Sequence, residues 1–194
     1  MSIQPYNKER TDNAISFFAS EYKKKTRNYL FQTQLYKFLA FFDFIGQERF
    51  GIPPLNLQYK AMEWGPVPID IYKNRLNLDT SLYVFTVIDK NDDDKKEKIQ
   101  VYPKGKPDLS YFSRQELNLM NHLLEIYADI FVKCGDMSDA SHEEIKAWKK
   151  TWKTNPNGMI DYDLTFNDDL LEKNDDDLSA QEESYLIYKA LQTQ

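Results

Sequence analysis

The stretch TQLYKFLAFFDFIGQ, from Thr33 to Gln47, is a run of apolar residues at helical spacing. The positions that recur at i, i+3 and i+4 are Leu35, Phe38, Leu39, Phe42 and Ile45, and Phe41 and Phe44 add apolar groups on neighbouring faces. A helix that is apolar on most of its faces is usually buried on most of them. We therefore expect this helix to be the central spine of the fold, with Gly46 and Gly51 marking its end.

The segment KAMEWGPVPIDIYKN, from Lys60 to Asn74, contains one glycine and two prolines within four positions. A short helix is predicted from about Asn56 to Trp64, and Gly65 is expected to end it with the positive φ of a helix C-cap. The prolines then stop this helix, and Pro68 suits the first position of the next one. This corner predicts a sharp change of direction, with Trp64 as an anchor in the core.

The remaining sequence predicts helices around a small sheet. Strands are expected over Ser81–Asp89 and Lys98–Pro103, which form a hairpin with a charged tip, and at the edge over Met159–Asp163. Helices are expected after Thr11 and Asp12, over Ser113–Val132 with an apolar stripe that ends at Phe131, after the Ser141–Glu144 capping box, and after Ser179. The expected fold is α+β and mainly α-helical, a helical core with a small antiparallel β-sheet or hairpin.

The acidic segment from Asn167 to Asp177 is poor in apolar residues and is predicted to be a flexible linker. We expect one domain over residues 1–165 and, over residues 166–194, this acidic linker followed by a C-terminal helix. That helix is expected to dock on the domain or on a partner.

Charge and cysteine content narrow the class of protein. The formal net charge of −6 disfavours a nonspecific nucleic-acid binder, because such proteins bind phosphates with Lys and Arg. The basic run Lys23–Arg27 keeps a nucleic-acid-binding regulator as an alternative. Cys134 is the only cysteine, so an intrachain disulfide is impossible and a reducing compartment is expected. The first residues do not resemble a signal peptide, and no apolar run has the length of a membrane span. We expect a cytoplasmic protein with no membrane partner.

Few residues are suited to catalysis or metal binding. No glycine-rich phosphate loop is present, and two histidines with one cysteine do not supply a common zinc site. Cys134 with His142 is an alternative nucleophile–base pair for a hydrolase or transferase. The preferred interpretation is a buried cysteine near a histidine in the first turn of a helix, where the dipole favours a neutral imidazole. The acidic runs at 92–94 and 175–177 lack calcium-loop spacing. No catalytic residue, metal or cofactor is expected.

Two blocks of sequence form a pattern. The first is Leu-x-Lys followed by two apolar residues, then a glycine and an Ala-x-x-x-Gly-Pro-Val corner leading to a tyrosine. Its positions are Leu35, Tyr36, Lys37, Phe38, Leu39, Gly51, Ala61, Gly65, Pro66, Val67 and Tyr72. The second, an apolar residue before Ser-x-x-Ser-His and a later tryptophan, comprises Met137, Ser138, Asp139, Ala140, Ser141, His142 and Trp148. Together they resemble the Panacea domain of SocA-like antitoxins, formerly a phage-associated family of unknown function, over about residues 10–165. Asp43 and Phe44 depart from the family pattern.

The resemblance implies an antitoxin of a bacterial, prophage or phage toxin–antitoxin system, which neutralises a cognate protein toxin by direct binding. An alternative is a proteolytic adaptor that delivers the toxin to an ATP-dependent protease. The resemblance implies no enzyme activity and is compatible with a homo-oligomer. The residues implied in partner binding, or as family motif, are Lys37, Trp64, Gly65, Pro66, Val67, Tyr72, Ser141, His142 and Trp148. Their joint presence predicts that the Gly-Pro corner and the Ser-His segment lie close together in space.

Overall fold

The structure, a computed structural model, describes residues 6–90, 97–166 and 170–192. Its α-helices are α1 (Asn7–Thr26), α2 (Gln32–Phe50), α3 (Ile69–Asn74), α4 (Arg114–Tyr127), α5 (Cys134–Glu144), α6 (Lys146–Thr154) and α7 (Ala180–Gln192). Its strands are β1 (Leu30–Phe31), β2 (Tyr59–Met62), β3 (Gly65–Pro68), β4 (Tyr83–Lys90) and β5 (Glu97–Pro103). The predicted class is confirmed: the fold is mainly helical α+β with small antiparallel sheets.

Helix α2 is the centre of the fold, as predicted. Its side chains with no exposed surface include Leu35, Phe38, Leu39, Phe41 and Phe42. Helices α1, α4, α5 and α7 all pack against it. Phe18 of α1 stacks on Phe38 with ring centroids 4.9 Å apart, and Tyr127 of α4 stacks on Phe41 at the same separation. Ring stacking on several sides of one helix fixes the positions of its neighbours.

The predicted hairpin of β4 and β5 is confirmed. β5 lies between β1 and β4, and Val101 of β5 is paired with Leu30 on one side and Phe85 on the other. These three side chains are buried against the helices. The charged tip of the hairpin, residues 91–96, lies outside the described residues, and so does the acidic run at 92–94.

The Gly-Pro corner is a second β-hairpin, so the helix predicted over Asn56–Trp64 is wrong. Strands β2 and β3 pair with Met62 opposite Gly65, which leaves Glu63 and Trp64 as the turn. Gly65 has the predicted positive φ, at 97°, but follows a hairpin turn and is not a helix C-cap. Both edges of β2 are hydrogen-bonded, because residues 157–160 line its other side. This long-range pairing overrides the local helical preference.

The edge strand expected over Met159–Asp163 is reduced to one isolated bridge, between Lys60 and Met159. Backbone bonds on either side of that bridge join the segment to β2, from Ala61 N–H to the Gly158 carbonyl at 2.8 Å and from Ile160 N–H to the Tyr59 carbonyl at 2.9 Å. The segment therefore covers the outer edge of the hairpin without forming a full strand.

Two predicted helix boundaries are wrong. α1 begins at Asn7, ahead of the predicted caps. α4 has the predicted capping box, in which Ser113 N–H donates to Glu116 at 2.7 Å and Glu116 N–H donates to Ser113 at 3.2 Å. It ends at Tyr127, where the chain leaves helical geometry, and the supposed stripe residue Phe131 is 81% exposed. The α4–α5 connection thus presents an aromatic ring to solvent.

The C-terminal helix α7 packs against the end of α2. Ser179 and Glu182 cap it reciprocally at 2.9 and 3.3 Å. Tyr185 and Tyr188 are buried in a small apolar cluster beside the main core. Gly51 ends α2 with a φ of 78°, and a Cβ there would lie 2.5 Å from the Gln181 carbonyl oxygen. The absence of a side chain at this position lets α7 approach α2 closely.

Gly46, the other glycine expected at the end of α2, lies inside the helix against Pro54. In the acidic segment, residues 167–169 lie outside the described part of the chain, and Asp175–Asp177 form a short 3-10 helix with exposed side chains. The division of the chain at residue 165 stays a prediction.

Candidate functional site

The two sequence blocks meet where α2, the β2–β3 hairpin and α5 pack together. A Cβ placed on Gly65 would lie 2.5 Å from Ser141 Oγ and 2.6 Å from Lys37 Nζ. The predicted proximity of the Gly-Pro corner and the Ser-His segment is therefore confirmed. These residues form one cluster, the lysine–tryptophan site, which comprises Lys37, Trp64, Gly65, Ser141, His142 and Trp148.

Lys37 is the buried charge of this site, with 3% of its surface exposed. Its ammonium donates to the carbonyl oxygen of Trp64 and so holds the hairpin turn against α2. No carboxylate among the described residues forms an ion pair with it. Burial lowers the pKa of Lys37 from 10.5 to about 8, because a charge loses solvation energy away from water. At pH 7 the ammonium form still predominates.

Trp148 of α6 fixes the other side of the same turn. Its Nε1 donates to the Met62 carbonyl at 3.1 Å. His142 stacks on its indole with centroids 3.9 Å apart and ring planes within 6°. The turn between β2 and β3 is thus bonded from α2 and from α6, while the side chain of Trp64 is 67% exposed. The prediction that Trp64 is a core anchor is wrong: its backbone is anchored and its ring faces solvent.

His142 lies in the last turn of α5, not in the first turn of a helix as predicted. The Ser141–Glu144 capping box is also wrong, since the helix starts earlier and the Asp136 carboxylate accepts the Lys133 N–H at 2.7 Å. A helix C-terminus favours a charged imidazole. Burial, and then the nearby Lys37 charge, nevertheless lower the pKa of His142. Its Nε2 is buried and has no hydrogen-bond partner within the described residues.

Cys134 and His142 do not have the geometry of a catalytic pair. They lie in the first and last turns of α5, which places them roughly 12 Å apart along the axis at the usual rise per residue. Cys134 Sγ instead lies 3.1 Å from Thr33 Oγ1 on α2. The thiol therefore contacts the Thr33 hydroxyl, and not the imidazole of His142.

The other motif residues support the hairpin. Pro66 and Val67 lie in β3, opposite Ala61 and Lys60 of β2. Tyr72 of α3 packs edge-on against a tyrosine of α2, with ring centroids 6.5 Å apart, and is 37% exposed. A role for these three residues in partner binding stays a prediction.

Sequence reasoning missed the part played by Asp43, which appeared only as a departure from the family pattern. It is fully buried in α2 and accepts hydrogen bonds from three consecutive backbone N–H groups, those of residues 55–57, and from Tyr59 and Tyr162. These bonds fix the chain that enters β2. A lone carboxylate in an apolar helix was the available signal, because such a group is buried only when it is hydrogen-bonded.

The low pKa of Lys37 predicts that the free energy of unfolding depends on pH, and comparison with Lys37→Met isolates this contribution. A lysine whose folded pKa lies below its unfolded value makes folding more favourable as pH rises from about 8 to about 10.5. From pH 7 to pH 9.5, the free energy of unfolding of the native protein should rise by about 2 kcal/mol relative to Lys37→Met. Urea unfolding at both pH values measures this, with the exposed Lys146→Met as control. Parallel pH profiles for the native protein and Lys37→Met would contradict the burial of the charge.

The family model described as "Antitoxin SocA-like, Panacea domain" matches residues 35–149, a span that contains every residue of the lysine–tryptophan site. No curated protein and no solved structure matches the chain. Within the described residues, none of the helices has both the length and the apolar character needed to cross a membrane.

Proposed function

Because the chain belongs to the family of SocA-like antitoxins with the Panacea domain, we propose that it neutralises a cognate protein toxin by binding it directly. The system would be bacterial, or carried by a phage or prophage, and the complex would form in the cytoplasm. On this proposal the protein acts by recognition, without catalysis and without a cofactor. On this proposal, the toxin is encoded by a gene beside the one for this chain.

The exposed indole of Trp64 is the observation that indicates which surface of the protein binds the toxin. Tryptophan is enriched among the residues that dominate binding energy, because it buries a large area in one contact. The hydrogen bonds from Lys37 and Trp148 hold the turn that presents it, so little conformational entropy remains to be lost on binding. We propose that the lysine–tryptophan site is the centre of the toxin-binding surface.

Co-expression tests the function. The product of the adjacent gene should stop growth when expressed alone, and growth should return when this chain is co-expressed, with the two proteins purifying as a complex. The rescue should persist in hosts lacking ATP-dependent proteases. A toxic neighbour that this chain neither rescues nor binds would contradict the antitoxin function. Rescue that requires the protease would instead identify a proteolytic adaptor.

Trp64→Ala should weaken toxin binding by about 30-fold or more, the scale of a central interface residue. Its effect on the free energy of unfolding should stay below about 0.5 kcal/mol, because the ring packs on little of the fold. Isothermal titration with the purified toxin and urea unfolding measure the two quantities. Ile126→Ala, which removes a 46%-exposed side chain from α4, is the control and should bind normally. Equal affinities for the two variants would place the interface elsewhere.

A further inference from the structure

Lys37 is a buried lysine that has no carboxylate partner among the described residues. Several surface lysines do pair with carboxylates, for example Lys146 with Glu48 at 2.9 Å and Lys149 with Glu143 at 2.8 Å. The one lysine that is 97% buried has only the Trp64 carbonyl as a hydrogen-bond acceptor among the described residues. An ammonium can donate three hydrogen bonds, so two of its donors are left without a protein acceptor.

Burial of a charge is normally accompanied by a counter-charge, because the desolvation cost is otherwise large. Here the fold offers only partial compensation, to which Cys134 contributes by raising the pKa of Lys37 against the larger effect of burial. Ser141 lies in the last turn of α5, and the negative end of that helix dipole favours a nearby cation. The Ser141 hydroxyl itself donates to the Ser138 carbonyl at 2.7 Å. The free chain thus carries an incompletely satisfied cation under the hairpin turn.

The neighbouring imidazole has the same deficit. Nε2 of His142 is buried without a hydrogen-bond partner in the described part of the chain. The ring cannot turn away freely, because it is stacked on Trp148. A neutral imidazole with a protonated Nε2 is a donor. This donor lies within electrostatic range of the Lys37 ammonium, whose charge lowers the pKa of His142.

The aromatic surroundings suit a charge pair that is shielded from water. Trp64, on the turn whose carbonyl binds Lys37, is 67% exposed in the free chain and is available to pack against a partner. Interface residues that exclude water around a central contact strengthen the electrostatic interaction inside it. The chain has a formal net charge of −6, so it does not attract acidic groups through a broad basic surface. A single buried cation is therefore the favoured way for it to bind a carboxylate.

We propose that Lys37, assisted by His142, receives one carboxylate of the bound protein toxin, so that an Asp or Glu side chain or the C-terminal carboxylate completes the lysine–tryptophan site. This inference rests on the proposed antitoxin function and adds the chemistry of the partner group. A carboxylate accepts hydrogen bonds on two oxygens, so one oxygen can accept from the Lys37 ammonium and the other from His142 Nε2.

The test uses purified toxin from the neighbouring gene and three forms of the full chain: native, Lys37→Met and Lys146→Met. Lys37→Met should bind the toxin at least about 30-fold more weakly, as expected when one partner of a buried ion pair is removed. It should be as stable as the native protein or more so, since the buried charge is gone. Lys146→Met should bind normally. A double-mutant cycle with Asp→Asn and Glu→Gln substitutions in the toxin, and with its C-terminal carboxylate amidated, should identify one acid that is coupled to Lys37.

The outcomes separate the two proposals. If the native chain does not bind the toxin, the antitoxin function fails. If the native chain and Lys37→Met bind equally well, the function stands and this inference is overturned. Weakened binding without coupling to any toxin carboxylate also overturns the inference. The loss of affinity would then be explained by a phosphate-bearing ligand at Lys37 or by a rearranged hairpin turn.

A measurement on the native chain needs no variant. Lysine side chains labelled with ¹³C report the pKa of Lys37 by NMR, and binding of a carboxylate should raise that pKa from about 8 to above about 10. An unchanged or lower pKa in the toxin complex would overturn the proposal. This experiment decides the question even if Lys37→Met does not fold.

Discussion

Asp43→Ala is expected to lower the free energy of unfolding by about 3 to 5 kcal/mol, the range for removing one partner from a buried charged network. The Asp43 carboxylate has no exposed surface and accepts bonds from Leu55 N–H at 2.6 Å, Asn56 N–H at 3.0 Å and Leu57 N–H at 3.2 Å. The alanine would leave these groups, and the two tyrosine hydroxyls that share the carboxylate, without their acceptor. A loss of this size is a large part of the stability of a domain of ordinary size.

Urea unfolding at pH 7.5 measures the effect. Burial raises the pKa of Asp43 to about 6, so the group is ionised at this pH and all five donors face an anion. Glu48→Ala, on the same helix, is the matched control, because it removes a carboxylate from a partly exposed pair with Lys146 and should cost less than about 1 kcal/mol. If the two variants lose the same stability, the donors around Asp43 do not depend on it. A smaller loss for Asp43→Asn than for Asp43→Ala would fit the single acceptor that an amide oxygen retains.

Asp43 also shows where sequence reasoning stops. The α2 helix could be predicted because its apolar spacing is local and strongly periodic. The residues that donate to Asp43 are residues 55–57 before β2, Tyr59 at the start of β2, and Tyr162, which lies more than a hundred positions further along the chain. Local sequence patterns do not predict hydrogen-bond donors that lie so far along the chain. The presence of the carboxylate could therefore be read from the sequence, but the groups that bind it could not.

The helix predicted ahead of the Gly-Pro corner was wrong for a related reason. Its glycine and prolines correctly indicated an abrupt turn and a positive φ at Gly65, yet they fit a helix corner and a strand hairpin equally well. The hairpin is selected by partners from other elements: residues 157–160 pair with β2, and Trp148 bonds to the Met62 carbonyl. The same partners explain the exposed Trp64 ring, which a local interpretation placed in the core.

The Ser-His segment was correctly predicted to lie near the corner, but it was placed at the wrong end of its helix. The spacing of Ser141 and Glu144 imitates a capping box, and α5 in fact begins at Cys134. The resemblance to a known family indicated that these residues come together. The hydrogen bonds that hold the corner became visible only in three dimensions, because their acceptors are the backbone carbonyls of Met62 and Trp64.

Gly65→Ala should lower the free energy of unfolding by about 2 to 4 kcal/mol, through backbone strain and overpacking together. The φ of 97° lies in the region that L-residues rarely adopt. The new Cβ would also lie 2.5 Å from Ser141 Oγ, which is held by its bond to the Ser138 carbonyl, and 2.6 Å from Lys37 Nζ. Relief of either contact would disturb the bond between Lys37 and the turn, so toxin neutralisation should weaken as well.

Gly135→Ala is the control for this substitution, since a Cβ there meets no atom within 4 Å and the residue lies inside α5. Alanine is the better helix former, so this variant should be as stable as the native protein or more stable, by up to about 1 kcal/mol. Thermal unfolding and the growth-rescue assay, run on both variants, compare the two glycines directly. Matching melting temperatures would mean that Gly65 needs neither its backbone conformation nor its missing side chain. A Gly65→Ala protein that folds less stably yet rescues growth fully would separate the hairpin from toxin binding, and would move the interface away from the lysine–tryptophan site.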